Sequence, residues 1–214
     1  MKIEQISVGY MQVFCYLVYD EETSEGILID PAGNEVALVQ HLRDKNIKLR
    51  YIVNTHGHAD HTCGNDSIKK ATGAGVVMHA DDDLFYQKPE SKMLTRSMGF
   101  PVSGPADVQV KDGEELSFGN LKMKFIHTPG HTPGGCCVLI EGNLFTGDTL
   151  FVGAVGRTDM PGGSFQQLIQ SLQNLVKTLP PDTVVWPGHD YGDRPRSTLG
   201  REAETNPYIS EYMK

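Results

Sequence analysis

The stretch Asn54-Thr55-His56-Gly57-His58-Ala59-Asp60-His61 packs three of the chain's eight histidines and one carboxylate into six residues. It follows Arg50-Tyr51-Ile52-Val53, a run rich in β-branched and aromatic residues that reads as a buried strand. Residues 62–71 behind it read as a turn leading into a helix. The cluster therefore lies on a strand-to-helix loop, where α/β folds place their chemistry. Imidazole nitrogens and carboxylate oxygens are the donors favoured by zinc and other borderline divalent metals. A metal site follows, and one loop cannot complete it.

Three later strand ends carry further donors. His131 stands in the rigid Pro/Gly run Thr128-Pro129-Gly130-His131-Thr132-Pro133-Gly134. Asp148 follows the apolar residues 144–146, and His189 follows the final strand-like run 183–186. Each sits beside a glycine, which lets backbone approach closely. His56, His58, Asp60, His61, His131, Asp148 and His189 make seven potential ligands. One tetrahedral zinc needs four, or three and a water. Seven donors with one shared carboxylate suit two metals ~3.5–4 Å apart. His41, on the first predicted helix, reads as solvated. His79 and His127 end strands and read either as supports of the site or as plain core or surface residues. Cys63 reads as a small buried residue rather than a ligand.

The remaining chain is organised around strands. Residues 1–30 read as a β-meander, with strands at 13–19 and 26–30. Residues 35–45 have helical apolar spacing, with Asn34 as N-cap. Strands are predicted at 75–79, 108–110, 115–118, 121–126, 136–140, 144–146 and 183–186. An amphipathic helix is predicted over 164–178, with Phe165 on its apolar face, and a helical tail from Ser197. Asp81 to Tyr86 reads as a helical turn, and Pro89, Pro101, Gly104 and Pro105 predict a long loop bordering a pocket. Two strand-rich stretches with helices predict an α/β (α+β) fold of two face-to-face sheets with helices outside, in a single domain over residues 1–214.

Composition bounds the function. The formal charge of −8 opposes non-specific nucleic-acid binding. Two divalent metals would nonetheless concentrate positive charge in one pocket and attract a small anionic substrate. No stretch approaches ~18 uninterrupted apolar residues, which excludes a spanning helix. Four cysteines without CxxC spacing, two of them adjacent in an apolar run, read as reduced buried thiols. With no apolar core for a secretory signal after Met1-Lys2-Ile3-Glu4-Gln5, the expectation is a cytoplasmic protein that neither spans nor binds membrane.

The chain resembles the metallo-β-lactamase fold superfamily, whose H-x-H-x-D-H motif stands here as His56-Gly57-His58-Ala59-Asp60-His61. The later His, Asp and His of the family match His131, Asp148 and His189 in order. The resemblance implies a four-layer αββα sandwich of two mixed β-sheets with metals at one sheet edge. It implies His56, His58 and His131 on the first metal, Asp60, His61 and His189 on the second, and Asp148 between them. Asp60 would also orient the attacking hydroxide as a catalytic residue. Zinc is the expected metal, with iron or manganese accommodated by the same donors.

Within the superfamily, the 128–134 loop, Gly147-Asp148-Thr149-Leu150-Phe151 and the tail with Asn206-Pro207-Tyr208 are similar to the glyoxalase II (hydroxyacylglutathione hydrolase) branch. That implies hydrolysis of a small anionic acyl-thioester, S-lactoylglutathione first. The chain departs in ending before the branch's helical C-terminal domain. Arg157 stands for the branch's glutathione-binding lysine and Asp159 for its tyrosine; Arg157 can still hold a carboxylate in bidentate fashion. His189-Asp190-Tyr191 also resembles the persulfide dioxygenases, which implies the alternative of one iron on His56, His131 and Asp148 acting on glutathione persulfide.

Overall fold

A computed structural model describes residues 1–212. The chain opens with β1 (Lys2–Val8), β2 (Val13–Tyr19) and β3 (Glu25–Ile29), an antiparallel meander. In β2, Phe14, Tyr16 and Val18 face one way and Val13, Cys15 and Leu17 the other, and both sets are buried in different clusters. Side chains alternate along a strand, so a strand apolar on both faces has to be covered on both sides. Helix α1 (Glu35–Asp44) leads to β4 (Lys48–Val53), parallel to β3. Helices α2 (Ala59–Thr62) and α3 (Asn65–Thr72) lead to β5 (Gly75–His79). Helices α4 (Ala80–Tyr86) and α5 (Pro89–Ser97) lead to β6 (Val108–Val110), which closes a mixed six-stranded sheet in the order β1 to β6.

The second sheet starts with β7 (Glu115–Phe118), β8 (Leu121–His127), β9 (Cys136–Ile140) and β10 (Asn143–Gly147), all antiparallel neighbours. A small hairpin, β11 (Leu150–Phe151) and β12 (Ala154–Val155), precedes α6 (Phe165–Thr178). Strand β13 (Val184–Pro187) then lies parallel to β10, and β14 (Ser197–Thr198) forms the edge ahead of α7 (Leu199–Thr205) and α8 (Pro207–Ser210). Between the sheets, Phe14, Tyr16 and Ile29 meet Phe125, Phe145 and Trp186. Outside the first sheet, Leu38, Val39 and Leu42 of α1 and Ile68 of α3 cover Cys15, Leu28 and Ile52. Outside the second, Leu168, Leu172 and Leu175 of α6 cover Cys137, Leu144 and Val185. The result is the expected αββα sandwich. Cys136 faces the inner core and Cys137 the outer one, so the adjacent thiols diverge, and all four cysteines are free. No helix among the described residues is long and apolar enough to cross a membrane.

Several local expectations differ from the structure. Helix starts inside the histidine motif, at Ala59, because His58 takes an extended N-cap conformation and the chain turns at once. Asn34 takes the expected N-cap position of α1, but with a left-handed backbone, and its side chain accepts from Gly9 N at 3.1 Å rather than from the helix's first turn. Residues 84–105 hold a helix: Pro89 occupies its first turn, where a missing N–H costs nothing. Phe165 is exposed at the start of α6, one residue past the Ser164 cap. The tail from Ser197 begins as an edge strand before turning helical. His41 is paired with Glu4 at 2.7 Å rather than free in solvent.

Candidate metal centre

The seven residues singled out in the sequence converge at one edge of the sandwich. β4 delivers the histidine loop, and the loops after β8, β10 and β13 deliver His131, Asp148 and His189. Cross-sheet backbone bonds fix this edge, with Cys136 N donating to Thr55 O and Phe14 N to Gly188 O, both at 2.8 Å. Gly147 takes a positive φ of 48°, and a Cβ there would run into the Thr55 side chain. Only glycine lets the two sheets approach closely enough to bring Asp148 to the histidines.

The donors form two groups of three, His56–His58–His131 and Asp60–His61–His189, each with its ligand atoms within 4.8 Å of one another. His58 Nδ1 lies 2.9 Å from His131 Nε2, and His61 Nε2 lies 3.3 Å from His189 Nε2. Asp60 Oδ2 is 3.7 Å from His61 Nε2 and 3.8 Å from His189 Nε2. Asp148 stands between the groups, with Oδ2 3.6 Å from His131 Nε2 and Oδ1 3.4 Å from His61 Nε2 and 3.7 Å from His189 Nε2. Donors held ~2.0–2.1 Å from a tetrahedral ion are roughly 3.3 Å apart, close to this spacing. His56 Nε2 and Asp148 Oδ1 are buried without a hydrogen-bond partner. Buried polar atoms of a folded protein are otherwise almost always partnered, so the donor set fits a pair of cations.

The opposite face of each ring is held in place. His61 Nδ1 meets Asp30 Oδ2 at 3.0 Å, and the same carboxylate accepts from Thr55 N at 2.8 Å and Thr55 Oγ1 at 2.6 Å. His131 Nδ1 donates to the Arg157 carbonyl at 2.7 Å, and His56 Nδ1 contacts Thr55 Oγ1 at 3.0 Å. These outer bonds set which nitrogen faces inward. Asp82 ties the two loops together: Oδ2 accepts from Gly57 N at 2.7 Å and Thr132 Oγ1 at 2.8 Å, while Oδ1 accepts from Gly134 N.

Electrostatics divides the rings. Burial holds His56 neutral, well below the ordinary imidazole pKa, and the His61, His131 and His58 rings add to the effect. Burial takes His58 down to about 3, again with help from His131. Burial also lowers His189, although Asp148 pulls the other way. At His61 burial opposes the charge, but Asp148, Asp60 and Asp30 outweigh it and raise the ring to about 10. Burial would raise Asp60, yet His61, His58 and His189 leave its carboxyl below the usual range. Neutral imidazoles and an ionised carboxylate are the forms that bind metal.

Arg157 is placed differently. Its exposed guanidinium is engaged by Asp159 through bonds of 2.6 and 2.8 Å, and it is its backbone carbonyl that touches the centre. His79 and His127 stay outside the seven and stack on each other with centroids 4.1 Å apart, while His127 Nε2 bonds the Pro133 carbonyl of the His131 loop at 2.9 Å. Two residues of the centre's surroundings carry no role in the sequence analysis, Asp30 at the end of the 26–30 strand and Asp82 in the 81–86 turn. Asp30 had a usable signal, since it follows an apolar strand just as Asp148 does. Asp82 had none.

Relatives share this arrangement of sheets. A profile of the Metallo-beta-lactamase superfamily matches residues 8–189. The chain is 32% identical over 214 residues to the hydroxyacylglutathione hydrolase GloC of Haemophilus influenzae, covering 98% of this chain and 99% of that one. The crystal structure of the BLEG-1 B3 metallo-beta-lactamase superposes with a TM-score of 0.88 at 31% identity, covering 98% of this chain and 100% of that one. ETHE1 from Myxococcus xanthus superposes with a TM-score of 0.84 at 32% identity, covering 99% and 85%. With a profile match across most of its length and near-complete overlap with these proteins, the chain belongs to the metallo-β-lactamase superfamily.

Proposed function

We propose that this protein is a metal-dependent hydrolase of a small acyl-thioester, with S-lactoylglutathione as the first candidate substrate. His56, His58 and His131 would hold one divalent ion, Asp60, His61 and His189 a second, and Asp148 would serve both. The observation that carries the proposal is the Asp148 carboxylate, one oxygen directed at His131 and the other at His61 and His189. Zinc suits these donors, and iron or manganese is accommodated by them. Bound there, divalent ions supply a water with its pKa lowered toward ~7 and polarise a carbonyl.

The protein's own groups do the rest. Asp60 keeps one-fifth of its side chain exposed beside the buried histidines, where its ionised carboxylate can accept a hydrogen bond from the attacking water and aim it. Asp30, Thr55 and the Arg157 carbonyl hold the rings still. The leaving thiol ionises near ~8.5, so it departs without a strong general acid. Arg157 would exchange Asp159 for a carboxylate of the substrate. Four free thiols, three of them buried and Cys63 half-buried, fit a reducing cytoplasm.

The likeness to ETHE1, whose human form is named a persulfide dioxygenase, supports a second reading, with one iron on His56, His131 and Asp148. A paired assay separates them on the same metal-loaded protein. Cleavage of S-lactoylglutathione without oxygen uptake supports the hydrolase. Oxygen uptake with glutathione persulfide and no thioester cleavage moves the protein to the second reading.

A further inference from the structure

Helix α5 has nine residues and buries none of them. Helices of this length draw their stability from a packed apolar face, and α5 has instead Leu94 and, at its C-cap, Met98, respectively 36% and 41% exposed. A side-chain bond from Ser91 Oγ to the Phe85 carbonyl, 2.8 Å, ties it to α4. Between α4, α5 and Met160–Pro161 lies a cavity of about 260 Å³ whose inner end is formed by His58 and Ala59. Its walls are mostly apolar, with Phe85, Leu94, Met98 and Met160 prominent. The charged groups of its lining are Lys88 and Glu90, both exposed at the start of α5, and the Lys88 ammonium lies 5.1 Å from the Phe85 ring.

We infer that this cavity receives the apolar acyl chain of the thioester substrate, which makes the protein selective for acyl groups several carbons long. The inference rests on the hydrolase reading and shifts its preferred acyl group from the short, hydroxylated lactoyl to longer apolar chains. A thioester has two ends at the reacting carbonyl. The thiol carriers of acyl groups bear amides, carboxylates or phosphates, and burying such groups without partners is costly. The cavity offers few partners, so the hydrocarbon end enters and the polar thiol end stays toward solvent. Contiguity with His58 places the carbonyl of such a chain beside the metal-ligand cluster. A space of about 260 Å³ accommodates a hydrocarbon chain of several carbons. An occupying chain would also cover Leu94, Met98 and Met160, the contact that α5 otherwise lacks.

The test uses metal-loaded protein and acetyl, butanoyl, hexanoyl and octanoyl thioesters of N-acetylcysteamine. The expected kcat/KM rises about three- to fourfold per methylene, then levels as the cavity fills. In Leu94→Glu, whose side chain is already part-exposed, the octanoyl-to-acetyl ratio collapses toward one. Independently, octanoate added to protein labelled at the methionine methyl groups shifts the Met98 and Met160 resonances and leaves Met123, in the inner core, unmoved. Thioester cleavage that is flat with chain length, together with unmoved Met98 and Met160 signals, overturns the inference and leaves the hydrolase reading standing. Shifted methyl signals with no cleavage of any thioester support the apolar site and sink the hydrolase reading instead.

Discussion

At the scale of single residues, one carboxylate stands between the two donor groups and bonds hold the rings from behind. Asp148→Ala removes the group placed between the two ligand sets. Loss of several kcal/mol of charge stabilisation should lower kcat/KM by ~10³-fold or more, with reduced metal content; near-normal turnover contradicts the assignment. Asp30→Ala frees the outer nitrogen of His61 and should weaken metal binding by about ten- to a hundredfold. Competition with a chelator measures it, and unchanged affinity would remove Asp30 from the account. Because three carboxylates hold the His61 ring near 10, metal and proton compete for its inner nitrogen. Affinity at the Asp60–His61–His189 set should therefore fall by about tenfold for each pH unit below that value, and a pH-independent affinity would contradict it. Arg157→Ala should raise KM for an anionic thioester by roughly two- to fivefold, the scale of an exposed ion pair. Metal content should hold, since the contact with His131 comes from the backbone. The seven donors were legible as residue types at strand ends. Asp30 stands at a strand end as Asp148 does, but its role, like that of Asp82, comes from neighbours 25 or more positions away that only the folded chain supplies.

At the scale of elements, the strands were the readable part. Runs such as 13–19 and 136–140 are apolar on both faces, a pattern few other structures can use, and their predicted limits match β2 and β9. Helix α5 was unreadable for the opposite reason. It has no buried face to impose a periodicity, and Pro89 signals a helix start and a chain break equally well. The one-turn helix α2 was hidden by its composition, since Asp60 and His61 are both weak helix formers. Its entry depends on Gly57, where an added Cβ would run into the Tyr86 ring. Gly57→Ala should destabilise the fold by about 1–3 kcal/mol, as overpacking does, and lower metal affinity by displacing His56 and His58. Thermal unfolding with metal titration checks both, and a silent substitution would show that the loop has slack.

For the whole molecule, the architecture explains why one edge carries the chemistry. Two sheets packed through Phe14, Tyr16, Phe125, Phe145 and Trp186 present the loops after β4, β8, β10 and β13 side by side, so donors 129 positions apart in sequence, Asp60 and His189, meet. Metal geometry therefore depends on the inner core. Phe125→Ala, in the core between the sheets rather than at the ligand edge, should cost about 3–5 kcal/mol of stability. The central claim is that this edge builds two ion sites sharing Asp148. Elemental analysis of the purified protein after metal loading and dialysis tests it most directly. Two divalent ions per chain in the wild type, falling to one or fewer in Asp148→Ala, is the predicted result. One ion per chain, with the same value in Asp148→Ala, would contradict it.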